Sequence, residues 1–245
     1  MRPSLLGRLW KRLAGPRSAG ADLAAWEEKH RAQIRRDLEA VWPYLPEELR
    51  FVDVGANVGL FSEALLAGRP RARGWLFEPV AEMHSRCAAR FGGDERIALQ
   101  NFALSDEAGE ATIYKARYNP GGNSLVHELM YDKREVSEVT ENPGHVEERI
   151  RLEVFDDWAA REGIGPVHFI KTDTEGYDHR VLRGMLGFIA TCEPRPVILS
   201  EFMNEEYHPF WEDQKAVIEA LYELGYQELD FASMEKVGDH LLLPG

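Results

Sequence analysis

The segment Phe51–Phe61, FVDVGANVGLF, constrains this chain more than any other. Residues suited to a buried strand run into two glycines, Gly55 and Gly59, after which apolar residues return at helical spacing. A strand that turns through glycine straight into a helix is the opening unit of a parallel sheet, because parallel neighbours must be joined by a crossover, usually helical. The same alternation continues along the chain. It predicts strands at 51–54, 74–78, 97–103, 167–173, 196–202, 226–231 and 239–243, with helices near 59–68, 80–91, 155–163, 178–189 and 210–224. Residues 110–114 read as a returning hairpin strand after the SDEAG turn. Residues 115–150, with YNPGGNSLV and a charged run, read as a long loop or lid. The expected fold is α/β: a seven-stranded, mostly parallel, Rossmann-like sheet with helices on both faces.

A length of 245 residues fits one main domain, here 51–245. A helical segment, 21–50, precedes it and ends at the Pro43 to Pro46 turn. Residues 1–20 form a basic amphipathic arm in which Leu5, Leu6, Leu9, Trp10 and Leu13 share a helical face. The arm carries five basic side chains and no acid, so the other 225 residues hold 24 basic against 42 acidic groups and the body stands at −18. An acidic body argues against nucleic acid as a partner. A basic amphipathic helix can lie on an anionic membrane surface, and the alternative is a terminal helix docked on its own domain. No run is long and apolar enough for a membrane span, and the start lacks the pattern of a cleaved leader. The expected location is therefore cytoplasmic, with peripheral contact at the inner membrane face through the arm. Cys87 and Cys192 lie far apart, lack metal-ligand neighbours and read as reduced core residues.

In an open parallel sheet, ligands bind beyond the carboxyl ends of the strands, and the turn after the first strand borders that crevice. Gly55 and Gly59 allow backbone to approach a ligand there. Glu78 ends the next strand, 19 residues after Gly59, where a carboxylate accepts hydrogen bonds from vicinal ribose hydroxyls. Two adenosine cofactors remain at this point. Asn57 occupies the place where dinucleotide enzymes keep a glycine for the pyrophosphate. Asp53 suits the cationic amino group of S-adenosylmethionine, directly or through water. The methyl donor is therefore preferred to NAD, and an NAD-dependent oxidoreductase is kept as the rival.

The motifs DVGANVGLFS, FEPV, NFALSDEAG and above all HFIKTDTEGYDHRVLRG resemble those of the FkbM-type S-adenosylmethionine-dependent methyltransferases, over about Phe51 to Glu201. The resemblance implies the class I methyltransferase fold and O-methylation of a sugar, glycolipid, polysaccharide or natural product. The cofactor residues it implies are Asp53, Gly55, Asn57, Gly59, Glu78 and Ala103, the last facing adenine. A non-catalytic S-adenosylmethionine-binding protein is the second rival, because motifs can outlive activity.

Lys171 falls inside an apparent core strand, where an unpaired charge is costly. With the first and fourth strands adjacent, Asp53 or Asp173 can pair with it; a lysine acting as base is the catalytic alternative. Transfer of a methyl group to a hydroxyl needs an aligned oxygen and a base. Asp173 and Glu175 end this strand and can supply the base or bind acceptor hydroxyls; Glu201 reaches the same rim from the next strand. The catalytic candidates are thus Asp173, Lys171, Glu175 and Glu201. Asn123, Ser124 and His208 are candidates for binding the small-molecule or glycan acceptor. No metal is expected, since Asp173, Glu201 and Asn204 are oxygen ligands at loose spacing.

Overall fold

The computed structural model describes residues 19–116, 121–130, 145–227, 229 and 237–245. The strands are β1 (Arg50–Val54), β2 (Arg73–Phe77), β3 (Ile97–Gln100), β4 (Ala103–Ser105), β5 (Gly109–Ala116), β6 (His145–Val154), β7 (Phe169–Thr172), β8 (Val197–Met203) and β9 (Val237–Leu242). The helices are α1 (Ala19–Val41), α2 (Leu60–Gly68), α3 (Ala81–Phe91), α4 (Phe155–Glu162), α5 (Asp178–Arg183), α6 (Leu186–Thr191) and α7 (Trp211–Glu223).

Six strands form one sheet in the order β3-β2-β1-β7-β8-β9, parallel except for β9. Parallel strands covered on both faces are buried almost throughout, and β1, β7 and β8 follow this rule. Side chains alternate between two cores. Val52, Val54 and Ile170 face one containing Phe155, Trp158 and Val181. Phe51 and Phe169 face the other, which α1 and α2 close with Leu38, Val41 and Leu65. Asp53 and Lys171 are register partners on the Phe51 and Phe169 side, so both charges lie beneath helices.

A second sheet, β4-β6-β5, stands beside the first. The segment expected as one strand at 97–103 breaks at Asn101, whose side-chain amide donates to the carbonyls of Glu78 at 2.9 Å and Pro79 at 3.0 Å, and resumes as β4. Part of the expected lid is also strand. β5 and β6 pair antiparallel from Gly109–Leu152 to Ala116–His145. Val146, Ile150, Leu152 and Val154 carry the strand alternation that the interleaved charges obscure.

The predicted helix at 178–189 is two helices. The carbonyl of Ser105 lies against Gly184, where any Cβ would run into it, and Asp156 accepts from the amides of Gly187 at 3.0 Å and Phe188 at 2.8 Å to start α6. Of the strand read at 226–231, Tyr226 makes an isolated bridge with Pro244, while 228, 230 and 231 lie outside the described residues. So do residues 1–18 of the arm, and 117–120 and 131–144 of the loop. Among the described residues no helix is long and apolar enough to cross a membrane.

Candidate active site

The turn after β1 is left-handed at Gly55 (φ 74°), Asn57 (φ 50°) and Gly59 (φ 84°). At Gly55 no other residue fits, since a Cβ would collide with the carbonyl of Asp173 on the neighbouring strand end. Asn57 tolerates its backbone because its own Oδ1 accepts from the Val58 amide at 2.8 Å. Gly59 caps α2 and faces Phe91 and Cys87, so its role is close helix packing rather than contact with a ligand.

Glu78 closes the turn from the side. Its carboxylate accepts from the Asn57 amide at 2.8 Å and the Val80 amide at 2.8 Å, and burial pushes its pKa up to about 7. Beside it opens a cleft lined by Gly55, Asn57, Glu78, Ala103, Asn123 and Leu125 among others. A carboxylate at the rim, exposed backbone at the glycine turn and an apolar wall that includes Phe77 and Leu104 fit an adenosine group. Gly55, Asn57, Glu78 and Ala103 are thus brought together as expected.

Asp53 is elsewhere. It has no exposed surface, accepts from Ser62 Oγ at 2.6 Å and meets Lys171 Nζ at 3.3 Å. A side chain enclosed in this way does not touch a cofactor amino group directly; the contact the structure shows is its expected pairing with Lys171. Lys171 Nζ also donates to the Gly55 carbonyl at 3.2 Å and lies 3.4 Å from Asp173 Oδ2. Burial alone would lower its pKa; the Asp53 and Asp173 charges more than reverse this and hold it above the usual lysine value. A lysine held protonated is not a base. It ties the glycine turn to the end of β7.

That end is a tight turn in which Glu175 (φ 54°) and Gly176 (φ 88°) are both left-handed. A glutamate in this conformation persists only where its surroundings fix it. Three groups do so. Both oxygens of Asp178 accept from the Thr174 amide at 3.2 Å. Ser124 Oγ donates to the Glu175 carbonyl at 2.6 Å. His208 Nδ1 accepts from the Phe210 amide at 3.0 Å, which leaves its Nε2–H to donate to the Gly176 carbonyl at 3.0 Å. Ser124 and His208, 2% and 4% exposed, therefore brace the turn, and among the described residues lining the clefts at this strand end neither appears, in place of the acceptor contact expected of them. His208 is enclosed, and burial lowers its pKa.

A second cavity, of about 260 Å³, adjoins the first beneath α1. Gly55, Asn57, Asp173 and Glu175 line both. Glu201 joins them in the second, with Trp26, His30 and Asp37 of α1 and Asp239 of β9. Sequence reasoning missed these last four, because long-range packing brings them here and no local pattern announces it. Burial first, then the charges of Asp173 and Asp178, pushes Glu175 up to about 8. Burial, with Asp173 and Glu175, raises Glu201 well above the carboxylate range; burial, with Asp173, raises Asp239 to about 7. Among the described residues no group of three or more His, Cys, Asp and Glu side chains is arranged to hold a metal ion.

Comparison with known proteins gives these features a context. The chain is 26% identical over 178 residues to the 2-O-methyltransferase NoeI of Sinorhizobium fredii, covering 69% of this chain and 70% of NoeI. It is 28% identical over 160 residues to the methyltransferase sdnD of Sordaria araneosa, covering 58% of this chain and 62% of sdnD. The crystal structure of the methyltransferase FkbM from Methylobacillus flagellatus superposes with a TM-score of 0.48 and 16% identity, over 74% of this chain and 39% of that one. The sequence pattern of the family described as the methyltransferase FkbM domain matches residues 53–228, from the glycine turn past the last helix. The chain belongs to that family and is an S-adenosylmethionine-dependent methyltransferase.

Proposed function

We propose that the protein methylates a hydroxyl oxygen of a saccharide-containing or natural-product acceptor, with Glu175 taking the hydroxyl proton. One observation carries this reading: Glu175 sits where the two cavities meet, on a braced left-handed backbone, with its pKa pushed up to about 8. A base is most effective when its pKa lies near the working pH. The name of the relative NoeI, a 2-O-methyltransferase, supports oxygen as the acceptor atom.

S-adenosylmethionine supplies an electrophilic methyl group when bound. Gly55, Asn57, Glu78 and Ala103 would hold its adenosine half. Asp173, beside Glu175 and held by Lys171, would position the acceptor hydroxyl. Calorimetric titration with S-adenosylmethionine and NAD, followed by transfer of labelled methyl to a panel of hydroxylated acceptors, tests the assignment. Cofactor binding without transfer to any hydroxylated acceptor would count against the proposed acceptor class.

Two expected results follow from particular residues. Because Glu175 must be unprotonated to accept a proton, kcat/KM for the acceptor should fall about tenfold per pH unit below its pKa of about 8. A pH profile with its acid limb in the ordinary carboxylate range, near pH 4 to 5, would remove Glu175 from this role. Glu78→Ala should weaken S-adenosylmethionine binding roughly 10- to 150-fold, since hydrogen bonds to a charged group contribute about 1.5–3 kcal/mol. Affinity unchanged within about threefold would count against ribose at Glu78.

A further inference from the structure

We infer that the cavity beneath α1 receives an acceptor bearing an ammonium group, which in the saccharide reading above is an amino sugar. Five carboxylates, Asp37, Asp173, Glu175, Glu201 and Asp239, face this cavity, and among the described residues Lys171 is the one lysine or arginine that lines it. Lys171 is already committed to Asp53, Asp173 and the Gly55 carbonyl.

Asp173 is paired with Lys171 and Asp37 accepts from Gln33 Nε2 at 2.7 Å, so Glu201 and Asp239 are the acids that the cavity leaves least served. Glu201 and Asp239 are register partners across β8 and β9, and because like charges repel there, the pair does not ionise together. Among the described residues, Glu201 Oε2 is buried without a hydrogen-bond partner. An unpaired buried acceptor is costly, so a site that keeps one gains when a ligand satisfies it. An ammonium group offers three donors and a positive charge, which answers both the empty acceptor and the repulsion.

The rest of the wall suits a ring. Trp26 and His30 stack with centroids 3.8 Å apart, fixed by a hydrogen bond of 2.7 Å between His30 Nδ1 and the Trp26 carbonyl. Aromatic rings of this kind pack against the apolar face of a cyclic ligand while polar groups set its orientation. The cavity thus combines an aromatic wall on α1 with carboxylates from α1, the turn after β7, β8 and β9.

This inference rests on the methyl-transfer reading, and the test separates the two. The full chain is first titrated with S-adenosylhomocysteine; the loaded protein is then titrated calorimetrically at about pH 7 with glucosamine and with N-acetylglucosamine. Glucosamine should bind at least about tenfold more tightly. Asp239→Asn, a change at an edge strand, should cut that preference below about threefold while S-adenosylhomocysteine affinity stays within about threefold. Equal binding of the two sugars, preference for the acetylated one, or binding of neither overturns the inference while leaving methyl transfer intact. An Asp239→Asn variant that loses S-adenosylhomocysteine affinity but keeps the sugar preference also overturns it, since the acids would then serve the cofactor's own amino group. Failure of S-adenosylhomocysteine to bind the wild type sinks both readings.

Discussion

Glu175→Gln should lower kcat by about 10²–10⁴, the usual worth of a general base, with S-adenosylmethionine affinity unchanged within about threefold. The substitution is nearly isosteric and makes the same demand on the left-handed backbone at φ 54°, so the turn should keep its shape. The Ser124 bond to the Glu175 carbonyl involves main chain and is untouched. What disappears is the ability to take a proton, and with it the acid limb of the pH profile. Steady-state kinetics on a verified acceptor, with calorimetry for the cofactor, check both halves. Full turnover in the glutamine variant would transfer the role to Asp173, the other carboxylate shared by the two cavities.

Lys171→Met should lower stability by about 3–5 kcal/mol, the cost of leaving one partner of a buried pair alone. Asp53 would be the stranded group: it has no exposed surface, and the neutral hydroxyl of Ser62 would still donate to it without offsetting its charge. The same change removes the bond to the Gly55 carbonyl, so cofactor affinity should fall with the melting temperature. The double variant Lys171→Met/Asp53→Asn distinguishes this account from a catalytic lysine. Replacing the stranded charge by an amide should recover much of the lost stability, as measured by urea denaturation. A single variant that melts like wild type yet has no activity would mean that Lys171 itself acts on the acceptor.

The sequence makes the Lys171 pair legible because a buried charge demands a partner and parallel topology leaves few candidates. The glycine turn and Glu78 are legible for a similar reason: each is a local pattern whose backbone or charge has few uses at a strand end. Asp53 shows the limit of that logic. Its residue type suits a cofactor amine, but strand alternation puts it on the face of Phe51, under α2, and orients it toward Ser62. Ser124 and His208 are opaque for a different reason. Their partners are main-chain carbonyls, and polar side chains in loops carry no sign of whether they face a ligand or a neighbouring turn. β6 hides because alternating charges over Glu147–Glu153 resemble a solvated loop, and α1 reaches the site by packing with α2 on the Phe51 and Phe169 face of the sheet.

The bond from Ser124 to the Glu175 carbonyl has a consequence for timing. Ser124 also pairs with Tyr114 through both backbone hydrogen bonds, and its neighbours Asn123 and Leu125 line the cofactor cleft. On the function proposed above, the segment bordering the cofactor cleft is therefore also the one that holds the backbone of the proposed proton acceptor. Lifting it to exchange the spent cofactor would release the strained turn at the same moment. On that reading the arrangement would act as an interlock: with the segment displaced, the base would lose its hold and the methyl donor would face no activated water.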